Sequence, residues 1–204
     1  MTDEAHELDT WLVCGTSPSA ARLFVPVMEL YPHAVTIVAN GAITLFSAMH
    51  VDPDFAWISD GWTAALFGFH IRSAKRRGKT VIVAPERVVE SLSDHDIKVA
   101  LSVDVVPSSG CSGTQITQIA IDNDAKRIAL VGMDGYESTS SHVMIDTFDG
   151  RRGPNAGQLL NADRARHLQA MIDQNPDVAF EFYGEPHYEI TGSNLIMFPD
   201  AEAV

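Results

Sequence analysis

Several short runs in this chain are apolar on successive residues rather than on alternate ones, and this limits its fold more than any other feature. Thr36-Ile37-Val38 and Ile128-Ala129-Leu130-Val131 are two such runs. A strand with one wet face alternates apolar and polar residues, whereas a strand covered on both faces does not. Strands are expected at Trp11–Cys14, Ala34–Ala39, Phe55–Ser59, Thr80–Ala84, Arg127–Val131, Val178–Phe182 and Leu195–Phe198, with a less regular β-like run at Val99–Val106. Between them, helical periodicity predicts helices over Pro18–Leu30, Ile43–Met49, Thr63–Arg77, Glu86–Leu92, Ser112–Asp122 and Leu159–Ile172. Pro26 is a kink point in the first of these. Gly150–Gly157, with three glycines, a proline and two arginines, reads as a loop. This alternation predicts an α/β, Rossmann-like fold: a mostly parallel sheet with helices on both faces, in a single domain spanning residues 1–204. Residues 1–9 read as a flexible acidic N-terminus and 135–157 as an active-site loop.

Composition excludes several classes. A chain that is 46% hydrophobic has enough apolar surface to fold. Its two cysteines, Cys14 and Cys111, lie far apart and form no Cys-x-x-Cys pair, so neither a disulfide scaffold nor a zinc site of usual spacing is expected. A reducing compartment follows. Fourteen Lys and Arg against 27 Asp and Glu give a net charge of −13, which repels nucleic acid. The one basic cluster, Lys75-Arg76-Arg77 with Lys79, reads as the C-terminal end of a helix, where cations oppose the dipole. The N-terminus lacks a basic stretch before an apolar run, and no segment approaches the roughly 18 apolar residues of a membrane span. A cytoplasmic location is the resulting expectation.

Right-handed crossovers bring the C-terminal ends of parallel strands to one edge, where ligands bind. Small and acidic residues follow the strands repeatedly. Gly15-Thr16-Ser17-Pro18-Ser19 combines a tight turn with a helix start whose amides suit a phosphate. Asn40-Gly41 is a turn, or an amide placed to read a base or ribose. Asp60 is either a helix cap or a carboxylate for a ribose, a metal or an acceptor hydroxyl. Ser108–Gly113 is a second small-residue loop, including Ser109 and Gly110, that allows close backbone approach. Gly132-Met133-Asp134-Gly135-Tyr136 places an acid and a phenol at a strand end, followed by His142 and Asp146 in a polar loop. Asp52-Pro53-Asp54 has the Asp-x-Asp pattern of metal-dependent sugar transferases but precedes a strand, on the wrong edge. Asp94-His95-Asp96 reads as a linker or cap. Cys14 reads as core, and Cys111 has no neighbouring histidine to activate it.

Taken in order, Gly15–Ser19, Asn40 with Pro53-Asp54 and Asp60, Ser109-Gly110, and Ile128–Asp134 resemble the Rossmann-like family of 6-hydroxymethylpterin pyrophosphokinase and motility accessory factor proteins, which is related to bacterial lipooligosaccharide sialyltransferases. The resemblance covers roughly residues 10–185. It implies nucleotide contacts from Gly15, Thr16, Ser17, Asn40, Ser109 and Gly110, with Thr16 standing where the sialyltransferases usually have Asn. It implies that Tyr136 donates a hydrogen bond to the departing phosphate, and that His142, six residues later, takes the place of a second Tyr. The sialyltransferase general base is a His shortly before an Asn-x-Asp that enters a helix. Asn161-Ala162-Asp163 fits that motif, but Gln158 stands near the expected base, leaving His142, Asp146 or His187 as substitutes.

The favoured expectation is glycosyl transfer from a nucleotide-sugar donor, with a CMP-linked sugar as one candidate, to an acceptor that the sequence does not name. Tyr136, His142, Asp134 and Asp60 are the catalytic candidates, and no metal cofactor is required. The alternatives are a pyrophosphokinase with Mg²⁺ on Asp60 and Asp134, and a nucleotide-binding protein without catalysis. A homo-oligomer is compatible with either.

Overall fold

The computed structural model describes residues 9–103, 111–135 and 156–199. Eight strands form one parallel sheet: β1 Thr10–Cys14, β2 Val35–Ala39, β3 Phe55–Trp57, β4 Val81–Pro85, β5 Leu101–Val103, β6 Arg127–Val131, β7 Ala179–Tyr183 and β8 Leu195–Phe198. Their spatial order is β5-β4-β3-β2-β1-β6-β7-β8, and every adjacent pair is parallel. The helices are α1 Ser19–Leu30, α2 Ile43–Ala48, α3 Gly61–Arg76, α4 Val89–Ser93, α5 Ser112–Asp122 and α6 Ala156–Gln174. The fold is Rossmann-like α/β, as the apolar runs require.

Strand order explains the two layers. From β1 the chain steps one way through β2, β3, β4 and β5, then returns to β6 on the other side of β1. Right-handed crossovers in opposite directions place their helices on opposite faces. Accordingly Leu12, Cys14, Val38 and Val131 pack under Leu23 and Phe24 of α1, Phe46 of α2 and Ile71 of α3. Trp11, Val13, Ile37 and Leu130 pack under Ile116 of α5 and Leu168 and Ile172 of α6. Successive residues of β1 thus enter two different cores, so neither side can be polar.

Several polar groups, buried or partly buried, are paired across elements. Trp57 Nε1 donates to Gln115 Oε1 on α5 at 3.1 Å. Glu181, buried on β7, accepts from the Tyr31 and Tyr183 hydroxyls and meets Arg127 Nε at 3.2 Å. Asp54 accepts from the Thr36 amide and hydroxyl at 2.8 Å, and Asp52 pairs with Arg77 at 2.5 Å. Asp52-Pro53-Asp54 is therefore a structural link ahead of β3.

Pro26 does not interrupt its helix, and some other expected boundaries change. Helix α1 runs through Pro26 to Leu30. Strand β3 ends at Trp57, two residues early, because Asn40 captures the Ser59 amide. Helix α3 starts at Gly61 rather than Thr63, because Asp60 caps it through the Thr63 amide. Helix α6 begins at Ala156, so Gly157 belongs to it and not to the expected loop.

Candidate functional site

The strand order reverses between β1 and β6, and ligands of open parallel sheets bind at such a reversal, outside the strand C-termini. The segments meeting there are Gly15–Ser19, Gly132–Gly135 and Gly184–Tyr188. They are tied tightly to one another. Gly15 N donates to Val131 O at 2.8 Å and Ser17 N to Gly132 O at 2.9 Å. Ser17 Oγ accepts from Gly135 N at 3.2 Å. A Cβ on Gly15 would lie 2.3 Å from Gly132 O, and one on Gly132, where φ is +67°, 2.6 Å from Ala20 Cβ. These two glycines let the strand ends approach each other.

Asp134 is the pivot. It is 5% exposed. Its Oδ1 accepts from Ser19 Oγ at 2.7 Å and its Oδ2 from Ser19 N at 3.2 Å. Pro18, which precedes α1, has no side-chain cap to offer, so the Asp134 carboxylate, from the segment after β6, caps α1 instead. A Cβ at Gly184 would lie 2.4 Å from Asp134 Oδ1, so a glycine there leaves room for the carboxylate. Burial, the largest influence, raises the Asp134 carboxyl above its ordinary value; the Ser19 bonds and the charges of His187 and Arg164 act the other way. The Ser17 and Ser19 amides, which the sequence offers to a phosphate, are thus engaged inside the protein.

His187 lies beside this carboxylate. Its amide donates to Asp134 O at 2.7 Å while its side chain is exposed at the rim. Tyr188 donates its hydroxyl to Met133 O, and Asn161 Nδ2 donates to His187 O at 3.4 Å. Arg164, 7% exposed, has its guanidinium 5.9 Å from the Tyr188 ring centroid. Its Nε lies 3.1 Å from Cys111 Sγ at the start of α5. Burial pushes the Cys111 thiol up, but Arg164 and bonds from the Thr114 and Gly113 backbone together hold it below the ordinary range.

The remaining candidates spread along the same edge. Asn40, at φ +47°, donates from Nδ2 to Ser112 Oγ at 2.8 Å and accepts from Ser59 N at 2.9 Å. It joins the ends of β2 and β3 to the start of α5. Asp60 accepts from Thr63 N at 2.6 Å and Ser59 Oγ at 2.9 Å. Three strand spacings separate the ends of β3 and β6, on the order of 14 Å. The expectation of neighbouring carboxylates is corrected: one Mg²⁺, with ligands at about 2.1 Å, does not reach both Asp60 and Asp134. Among the described residues no group of three or more His, Cys, Asp or Glu is placed to hold a metal ion.

Tyr136, His142, Asp146, Ser109 and Gly110 lie outside the described residues. Asn161-Ala162-Asp163 stands inside α6 rather than at its entrance, and Asp163 pairs with Arg166 and His167. Arg164 is the residue that sequence reasoning missed. Its signal was present: Leu160, Arg164, Leu168 and Ile172 recur every four residues, so an arginine sits in the apolar stripe.

No protein-family model and no curated protein sequence matches the chain. Solved structures do. The MAf glycosyltransferase from Magnetospirillum magneticum AMB-1 superposes with a TM-score of 0.62 and 14% identity, over 96% of this chain and 34% of that one. This chain therefore spans about a third of that protein's length. The sialyltransferase CstII from Campylobacter jejuni, solved in complex with the substrate analogue CMP-3FNeuAc, superposes with a TM-score of 0.54 and 13% identity, over 95% of this chain and 96% of that one. At such identities the shared property is the fold: the chain has a Rossmann-like architecture in common with these two glycosyltransferases.

Proposed function

We propose that this protein transfers a glycosyl group from a nucleotide-activated sugar bound at the β1–β6 reversal. The observation that carries the reading is the convergence there of Gly15–Ser19, Asp134, His187 and Arg164 on one strand edge. Fold likeness to two glycosyltransferases supports it, one of them solved with a nucleotide-sugar analogue. In this mechanism an acceptor hydroxyl attacks the anomeric carbon as the bond to the nucleotide phosphate breaks. His187 takes the hydroxyl proton, since its ring is exposed at the rim and its backbone is fixed by Asp134. Tyr136 and His142 donate to the leaving phosphate. Arg164 contributes positive charge behind the crevice. Ser109, Gly110, Thr16 and Asn40 hold the nucleotide, Asp60 and Asp134 orient the strand ends, and no metal is needed.

The test is a panel of cytidine, uridine, guanosine and adenosine nucleotide sugars. Binding is read as a rise in melting temperature, and turnover as released nucleotide, each with and without excess EDTA. The proposal expects one nucleotide class to bind and to be released with EDTA present. Turnover abolished by EDTA and restored by Mg²⁺ would favour phosphoryl chemistry, and no binding by any nucleotide would end the proposal.

A further inference from the structure

Helix α3 carries two apolar faces. Ala64, Ile71 and Ala74 enter the core, while on the other side Trp62, Leu66 and Phe69 are 37%, 47% and 72% exposed. The spacing i, i+4, i+7 makes them one continuous stripe, with Ala65 beside it. The Phe69 ring is braced edge-on by His70, with centroids 5.5 Å apart. We propose that this stripe is the interface of a homodimer in which two α3 helices pack antiparallel about a two-fold axis.

Three features point to a second copy of this chain. The first is area. The stripe exposes on the order of 400 Å² of apolar surface, as much as the largest patch on an ordinary monomer. A standard interface takes about 800 Å² from each partner, somewhat over half of it non-polar. The stripe supplies that apolar share, and His70, Arg72, Ser73 and Arg76 supply a polar rim.

The second is self-complementarity. An isologous contact needs a patch that matches itself after a two-fold rotation. A two-fold axis placed midway between Leu66 and Phe69 sets Leu66 of each helix against Phe69 of the other and Trp62 against Ser73. The helix dipoles then run antiparallel.

The third is charge. The same axis brings Arg76, the exposed cation near the end of each helix, level with the partner's Ser59–Asp60. The protein carries a net charge of −13, so this basic end finds an acidic surface on a second copy. A membrane surface fits less well. Arg77 is already paired with Asp52, Lys75 donates to Lys98 O, and the net charge opposes anionic lipid.

Analytical ultracentrifugation of the full chain, from about 1 to 100 μM, tests the proposal. The wild type should move from a 22.2 kDa species to twice that mass as concentration rises. Leu66→Glu and Phe69→Glu should each raise the dimer dissociation constant at least about 30-fold, because a buried apolar anchor is replaced by a charge set against an apolar residue of the partner. Neither should change the circular dichroism spectrum, since both residues face solvent in the monomer. Phe69→Leu, which keeps the apolar contact, should remain dimeric, as should Val25→Glu, a control on exposed α1 surface. A wild type that stays at 22.2 kDa throughout overturns the proposal, as does a dimer indifferent to both glutamates. Co-sedimentation of the wild type with phosphatidylserine vesicles, lost in Phe69→Glu, would assign the stripe to a membrane and also overturn it.

Discussion

Removing the Asp134 carboxylate should cost stability in an amount that the Ser19 contacts set. In Asp134→Ala the amide and hydroxyl of Ser19 lose their acceptors while remaining 7% exposed. A buried donor left unsatisfied costs about 1–3 kcal/mol. Part is returned, because a carboxylate that burial disfavours is removed with it. The expected net loss is about 2–3 kcal/mol, which in a chain of 204 residues lowers the melting temperature by roughly 4–12 °C. Urea unfolding followed by circular dichroism measures it. A double-mutant cycle with Ser19→Ala should give a coupling of about 1–2 kcal/mol. A loss below about 0.5 kcal/mol, or additivity with Ser19→Ala, would refute the capping role.

The same residue fixes the sign of a pH effect. The folded-state carboxyl holds its proton above the ordinary value of 3.8, so the folded protein binds the proton more tightly than the unfolded chain. Its stabilising contribution is fully present below that value and is lost as pH rises through the raised folded value. Asp134→Asn does not titrate, so it should gain on the wild type as pH rises from about 4 and reach a constant difference above the raised value. A wild type that gains on the Asn variant over that range contradicts this assignment.

Three further outcomes are expected. Gly132→Ala places a Cβ 2.6 Å from Ala20 Cβ at φ +67°, and should destabilise by about 3 kcal/mol in the same urea assay. Iodoacetamide near neutral pH should modify Cys111 well before Cys14, since burial pushes Cys14 up to about 12 while the Arg164 charge and backbone bonds outweigh burial at Cys111; Arg164→Met should slow Cys111 labelling about tenfold, followed by mass spectrometry of the two cysteine peptides. Tyr136→Phe should lower kcat about 100-fold with little change in KM, because a leaving-group contact acts mainly in the transition state, and nucleotide release reads both constants.

What was legible in the sequence follows from how local the determining physics is. Trp11–Cys14 announces β1 because each residue must suit one of two cores, a constraint visible within four positions. The strand-end motifs were equally readable, and Gly15, Asn40, Asp60 and Asp134 do lie on one edge. Their partners were not. Ser19 and Asp134 are 115 residues apart, and only the crossing of the chain from β5 back to β6 brings a carboxylate to cap a helix that Pro18 leaves uncapped. The separation of Asp60 from Asp134 is likewise set by strand order, which no motif encodes. Arg164 interrupts an apolar stripe, a signal present in the sequence, but Cys111 and Tyr188 beside it come from distant segments.

The most direct test of the central claim is a crystal structure with a non-hydrolysable nucleotide sugar of the class that binds. The account predicts the ligand at the β1–β6 reversal, with its phosphate within hydrogen-bond reach of the 109–113 segment and its anomeric carbon on the His187 side. A nucleotide seated at the opposite edge of the sheet, near Asp52–Asp54, or on the outer face of α3, would contradict it.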